Sequence, residues 1–148
     1  MKIYIGADHQ GFNLKNDMVS YLQNGGYEVV DEGDRTLNPA DDFPQFAGRV
    51  VNAMLASGDR DARGILICGS GQGMCMAANR HKGIRAALGW DVAETKSSRS
   101  EDDSNVLCLP ASALRSDRAR VIVSTWLETP FAAAPRYIRR LAELDKLG

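Results

Sequence analysis

The stretch Gly64-Ile-Leu-Ile-Cys-Gly-Ser-Gly-Gln-Gly-Met74 sets a thiol, Cys68, directly ahead of three alternating glycines, Gly69, Gly71 and Gly73. A thiolate can abstract a proton or attack an electrophile, and glycines expose backbone N–H groups that side chains would otherwise screen. The pattern suits an anion held beside a basic or nucleophilic sulfur. A helix opening within the loop would add the positive end of its dipole. A buried structural cysteine is the competing reading, since free cysteines are among the most buried residues. Cys68 follows the apolar run Ile65-Leu66-Ile67, as at the end of a covered strand, and faces the glycines, which favours chemistry. Cys75 and Cys108 lack that setting and read as core.

Two other groups could join it. Asp8-His9 ends the first β-rich run and could position a hydroxyl and an anionic group, or the aspartate could simply cap the helix that follows. Pro135 opens a C-terminal helix in which Arg136 and Arg140 share a face, and Arg136 opposes the helix dipole unless an external anion relieves it. That pair could grip a phosphate, or be a solvated face with Glu143 as partner. The glycines resemble a dinucleotide fingerprint poorly, because its third position falls on Met74 and the loop follows the third strand. His9, Cys68, Cys75 and His81 have no ligand-pair spacing, so no metal is expected, and His81 reads as a solvated helix end.

Positioning these groups falls to short β-rich runs that alternate with amphipathic stretches. Residues 2–6, 27–31, 64–68, 84–88 and 105–109 read as five strands, a rhythm that predicts an α/β fold with a parallel sheet. Leu14, Met18 and Leu22 recur at helical spacing before Gly25-Gly26, as do Phe46, Val50 and Met54 before Gly58. Further helices are expected at 71–81, 91–103, 116–127 and about 136–147. A strand order of 2-1-3-4-5 would gather Asp8, His9, Cys68 and Ser70 around the crevice where the order reverses.

Composition narrows the function class. The 148 residues fit one domain, spanning 1–148, with 18 basic against 19 acidic residues and no basic block. Neither nucleic acid nor an anionic membrane is an expected partner. No apolar run approaches the roughly 20 residues needed to span a bilayer, and the three cysteines form no Cys-x-x-Cys pair, so a cytoplasmic location is expected.

Taken together, Gly6-Ala7-Asp8-His9-x-Gly11, Asp42-Phe43-Pro44, the 64–73 loop, Ala78-Asn79, Gly83-Ile-Arg-Ala86 and Asp103-Ser-Asn-Val-Leu107 resemble the type B ribose-5-phosphate isomerase family. Its relatives include the galactose-6-phosphate isomerase subunits. The resemblance covers nearly the whole chain. It implies a doubly wound, five-stranded parallel sheet with helices on both faces, no cofactor, and a homodimer or homotetramer with shared active sites. The C-terminal helix would then pack on a partner subunit. By position, Cys68 matches the base that moves a proton between C1 and C2, and Gly69, Gly71, Gln72 and Gly73 match the anion hole for the enediolate. Ser70 matches a residue that helps the hydroxyl oxygens exchange a proton. Asp8 and His9 match sugar-contacting positions, and Arg136 and Arg140 match the phosphate-binding pair.

Three positions depart from the family pattern. Glu101 and Asp102 stand where His-Asn is common, and Ser112 stands where an arginine commonly follows the fifth strand. The histidine is the family's usual acid for opening the sugar ring. Glu101 could take that role if its neighbour Asp102 helped to hold it protonated. Arg115 is a candidate to compensate for Ser112. The expected activity is isomerisation of a small aldose phosphate of four to six carbons. The alternative is a non-catalytic sugar-phosphate-binding or partner subunit.

Overall fold

In the computed structural model, which describes residues 1–148, the apolar runs form the middle of a parallel sheet. The chain runs β1 (Lys2–Ala7), α1 (Phe12–Asn24), β2 (Glu28–Asp31), α2 (Phe43–Ser57), β3 (Arg63–Cys68), α3 (Gln72–Ala78) and β4 (Ala86–Leu88). It continues through α4 (Val92–Ser100), β5 (Val106–Pro110), α5 (Ser116–Glu128) and α6 (Pro135–Leu144). Alternation in the strands divides the core in two. Ile3, Ile5, Ile65, Ile67, Leu107 and Leu109 face α1 and α5, meeting Met18, Leu22, Ile122 and Trp126. Tyr4, Leu66, Cys68, Val106 and Cys108 face α2 and α3, meeting Phe46, Val50, Met54 and Met74. The expected doubly wound α/β architecture is therefore present, with helices on both faces.

One part of the expected topology is corrected. The strand order is β2-β1-β3-β5-β4, not 2-1-3-4-5. β5 is completely buried and pairs with β3, with Cys68 opposite Pro110, whereas β4 has only three half-buried residues and takes the edge. A long apolar strand gains more from covering on both sides than Ala86-Ala87-Leu88 can. The exchange brings the turn after β5 beside the end of β3. Helices also stop short of their expected limits: α3 ends at Ala78, α4 at Ser100 and α6 at Leu144. Asp91 fixes the start of α4 by accepting the Ala93 and Glu94 amides at 3.1 and 3.3 Å, a cap worth about 1 kcal/mol.

α6 differs from the other helices. None of its residues is buried, and it packs against no other helix or strand, although Tyr137, Ile138, Leu141 and Leu144 lie on one side of it. No helix is long and apolar enough to cross a membrane.

Candidate active site

Cys68 is the last residue of β3 and is buried on the α2–α3 face. The Gly71 amide donates to its Sγ at 3.2 Å. That turn needs Gly71 in the left-handed region, with φ of 73°, and a Cβ there would meet Leu88 at 2.6 Å and the Pro110 nitrogen at 3.1 Å. At Gly73 a Cβ would come within 2.8 Å of the Phe43 ring, so α2 roofs the loop. Helix α3 opens inside the loop as expected. The Ser70 hydroxyl accepts the Gln72 amide at 3.3 Å, while the amides of Gly69, Ser70 and Gly73 find no acceptor within the protein.

The turn after β5 holds this loop from the side. The Ser112 hydroxyl donates to the Gly69 carbonyl at 2.6 Å, its amide donates to the same oxygen at 2.9 Å, and the Ala111 amide donates to the Cys68 carbonyl at 2.9 Å. Ser112 thus braces the glycine loop, a role that depends on the observed strand order.

β1 ends beside β3, with Ala7 opposite Ile67, which brings Asp8 and His9 to the same crevice. One carboxylate oxygen of Asp8 accepts the Gln10 and Gly11 amides at 3.0 and 3.1 Å, while its other oxygen has no protein partner. Asp8 therefore shapes the turn ahead of α1 and still presents an acceptor. His9 is held by Asp41: its backbone N–H donates to Oδ1 at 2.9 Å, and Nδ1 meets the same oxygen at 2.8 Å. The bond to Asp41 raises the imidazole pKa above its ordinary value; burial opposes this, and the charges of Asp8, Asp41 and Asp42 assist it. Sequence reasoning missed Asp41, whose only visible signal was the acidic pair 41–42 ahead of Phe43-Pro44. It also missed Gln10, whose side chain lies against Gly69.

Glu101, Asp102, Arg136 and Arg140 are not in this crevice. α4 carries the chain from the carboxyl end of β4 back to the amino end of β5, about 14 Å along the helix, so residues 101 and 102 lie at the opposite end of the sheet. Asp103, next in the chain, pairs with Arg85 at 3.1 Å and Arg99 at 2.8 Å just ahead of β4 and β5. The segment before α6 joins them through the Ala132 amide, which donates to the Ser100 carbonyl at 2.9 Å. Burial and the charge of Glu101 hold the Asp102 carboxyl above its usual range, while Arg140 pulls it down. Arg136 stacks on Tyr137, 4.4 Å from the ring centre, and no ion pair to Glu143 forms. A cavity of about 790 Å³ opens at this end, lined in part by His81, Arg85, Asp102 and Leu144.

The remaining candidates fall outside both groups. Cys108 is completely buried, and burial with the adjacent Cys75 thiol pushes its own thiol well up, as for a core residue. Cys75 is half-buried and packs against the core cluster that contains Cys108. His81 is half-buried too, with Nδ1 bonded to the Ala77 carbonyl at 3.2 Å instead of fully solvated. Arg115 is nearly fully exposed, beside Asp117 at 3.9 Å, and makes no contact that would replace an arginine at position 112.

A family description of ribose/galactose isomerases matches residues 3–144. The chain belongs to the ribose/galactose isomerase family. It is 40% identical over 126 residues to ribose-5-phosphate isomerase B of Escherichia coli, covering 85% of this chain and 83% of that one. It is 33% identical over 149 residues to ribose-5-phosphate isomerase B of Mycolicibacterium paratuberculosis, covering 99% and 92%. The solved ribose-5-phosphate isomerase B of Mycoplasma genitalium, with bound ribulose-5-phosphate, superposes with a TM-score of 0.93 at 35% identity, covering 98% and 94%.

Within this family fold the crevice offers a defined chemistry. A sulfur accepts the Gly71 amide of a loop that leaves three other amides unpaired, the neighbouring end of β1 carries a free carboxylate oxygen and an imidazole, and the Phe43 ring packs over Gly73. Preorganised N–H donors stabilise an oxyanion forming next to a base without reorganising as charge develops. The arginines that could hold a phosphate lie elsewhere in the same protomer.

Proposed function

We propose that the protein is an aldose–ketose isomerase of the ribose-5-phosphate isomerase B type, acting on a small sugar phosphate through a cis-enediolate with Cys68 as base. The observation that carries this reading is Cys68 Sγ at the end of β3, accepting the Gly71 amide of the same loop whose Gly69, Ser70 and Gly73 amides are unpaired. The Cys68 thiolate takes the proton from C2 of the open-chain aldose, and the charge moves to the C1 oxygen. The loop amides meet that oxyanion. Ser70 relays the proton between the two oxygens, and Cys68 returns its proton to C1, giving the ketose. Oxidation at C2 balances reduction at C1 and the proton taken is returned, so the reaction needs no cofactor.

A second copy completes the site in this reading. Arg136 and Arg140 would supply the phosphate grip from the partner, and α6, which covers nothing in its own protomer, would pack across the interface as a homodimer forms. The partner's amino end would also deliver the ring-opening acid. Glu101 and Asp102 stand at that end, and burial and the charge of Glu101 hold the Asp102 carboxyl above its usual range against the pull of Arg140.

A non-catalytic sugar-phosphate-binding subunit is the second reading, favoured by the acidic pair 101–102 and by Ser112. Turnover of ribose 5-phosphate and of four- and six-carbon aldose phosphates by the purified protein separates the two. Isomerisation of any of them, with Cys68→Ala slowed about 10²–10⁴-fold while the fold persists, is the expected result. Turnover unchanged in Cys68→Ala would sink the assignment of the base.

A further inference from the structure

The mechanism leaves one well-built feature without a role, the His9–Asp41 pair. Asp41 lies 32 residues from His9, yet a single carboxylate oxygen accepts both the His9 backbone N–H and the ring Nδ1, and the carboxylate is only 6% exposed. The loop carrying Asp41 is anchored at its start. The buried Lys15 bonds Asp31 at 2.8 Å and the Asp34 carbonyl at 3.0 Å, tying α1 to the chain as it leaves β2. Nε2 has no protein partner, and the ring keeps 30% of its surface exposed.

We propose that Asp41 is a positioning residue for the isomerase: it fixes the His9 ring through Nδ1 and leaves the Nε2–H as a charged donor to an anionic oxygen of the substrate. This rests on the isomerase reading, and deepens it by naming what sets the charge of His9. A neutral imidazole has one N–H, and with that proton on Nδ1 its Nε2 would be an acceptor and repel an anion. Protonation is favoured by every charged group facing the ring: Asp8 in its own turn, and Asp41 and Asp42 in the loop ahead of α2. The imidazolium therefore persists to higher pH than in an isolated histidine. As pH rises through the His9 midpoint, the donor is lost and substrate affinity falls.

Asp41→Asn tests this. The chain has only two histidines, so the His9 ring is readily followed by NMR in the substrate-free protein. The variant should move the His9 midpoint to lower pH and raise KM about tenfold at pH 7.5, the loss of one charge-assisted bond. The turnover number should stay nearly constant, because the bond acts on bound substrate and transition state alike. In a His9→Gln background, Asp41→Asn should add nothing further to KM. An unmoved His9 titration, an equal fall in turnover at every pH, or a full Asp41→Asn penalty in the His9→Gln background overturns the proposal. If the native protein turns over no aldose phosphate, the isomerase reading fails. The His9 titration and its response to inorganic phosphate would still decide the role of Asp41.

Discussion

At the carboxyl end of the sheet each candidate group is held by protein: Cys68 by the Gly71 amide, Asp8 by its own turn, His9 by Asp41, and the glycine loop by Ser112. At the amino end Arg136 and Arg140 stand exposed on a helix that packs on nothing, and Asp102 carries a carboxyl that its surroundings disfavour as an anion. The first arrangement is preorganised for chemistry, the second unfinished. An enediolate needs donors fixed before charge develops, so those groups belong on rigid strand ends. In the proposed function Arg136 and Arg140 would bring to a phosphate planar forks suited to its oxygens, from outside the crevice.

Damage to the two ends in different chains should have the greatest consequence. Cys68→Ala and Arg140→Ala homo-oligomers should each lose most activity, whereas co-expressed chains should regain it, about 10²-fold above either parent. In a mixed dimer one crevice receives both defects, and the other receives an intact Cys68 with an intact Arg140. Steady-state assay of the purified mixture checks this. A mixture as inactive as its parents would mean that the ends do not meet across an interface.

Within the finished end, Ser112 allows a finer cut. Ser112→Ala removes the hydroxyl bond to the Gly69 carbonyl but keeps the amide bond to the same oxygen. Activity should fall by roughly two- to tenfold, the worth of one neutral hydrogen bond. The loss should appear in turnover more than in KM if the loop serves the transition state. A change confined to KM would instead place Ser112 in ground-state substrate binding.

What could be read from the sequence follows the same division. Cys68 with its glycines and Asp8 with His9 are local in the chain, so apolar run, turn and reactive side chain stand side by side and their meeting follows from β1 lying next to β3. The Asp41–His9 bond spans a long loop with no periodic signal, and nothing in the spacing of residues 32–41 announces it. The exchange of β4 and β5 had a signal in the completely apolar Val106–Leu109 run against Ala86-Ala87, but order at a sheet edge is decided by burial that a single sequence only hints at. The separation of residues 101, 102, 136 and 140 from Cys68 depends on the direction of α4. Under the proposed function a second chain would reunite them.

The smallest expected effect tests whether the amino end carries an electrostatic cost in the free protomer. Burial and Glu101 hold the Asp102 carboxyl above its usual range, only partly offset by Arg140. A carboxyl whose folded pKa lies above its unfolded value binds its proton more tightly in the folded state, so stability falls as pH rises between the two values. Above both the loss is complete, and below the unfolded value it vanishes. Asp102→Asn, which cannot ionise, should therefore raise the melting temperature at pH 7 by on the order of 1 °C, and the gain should disappear below about pH 4. The shift is small because the group is largely solvent-exposed and screened. Calorimetry at the two pH values checks it. A variant less stable than the parent at pH 7 would show that Arg140 outweighs burial and Glu101, making Asp102 a stabilising ion-pair partner rather than a group awaiting one.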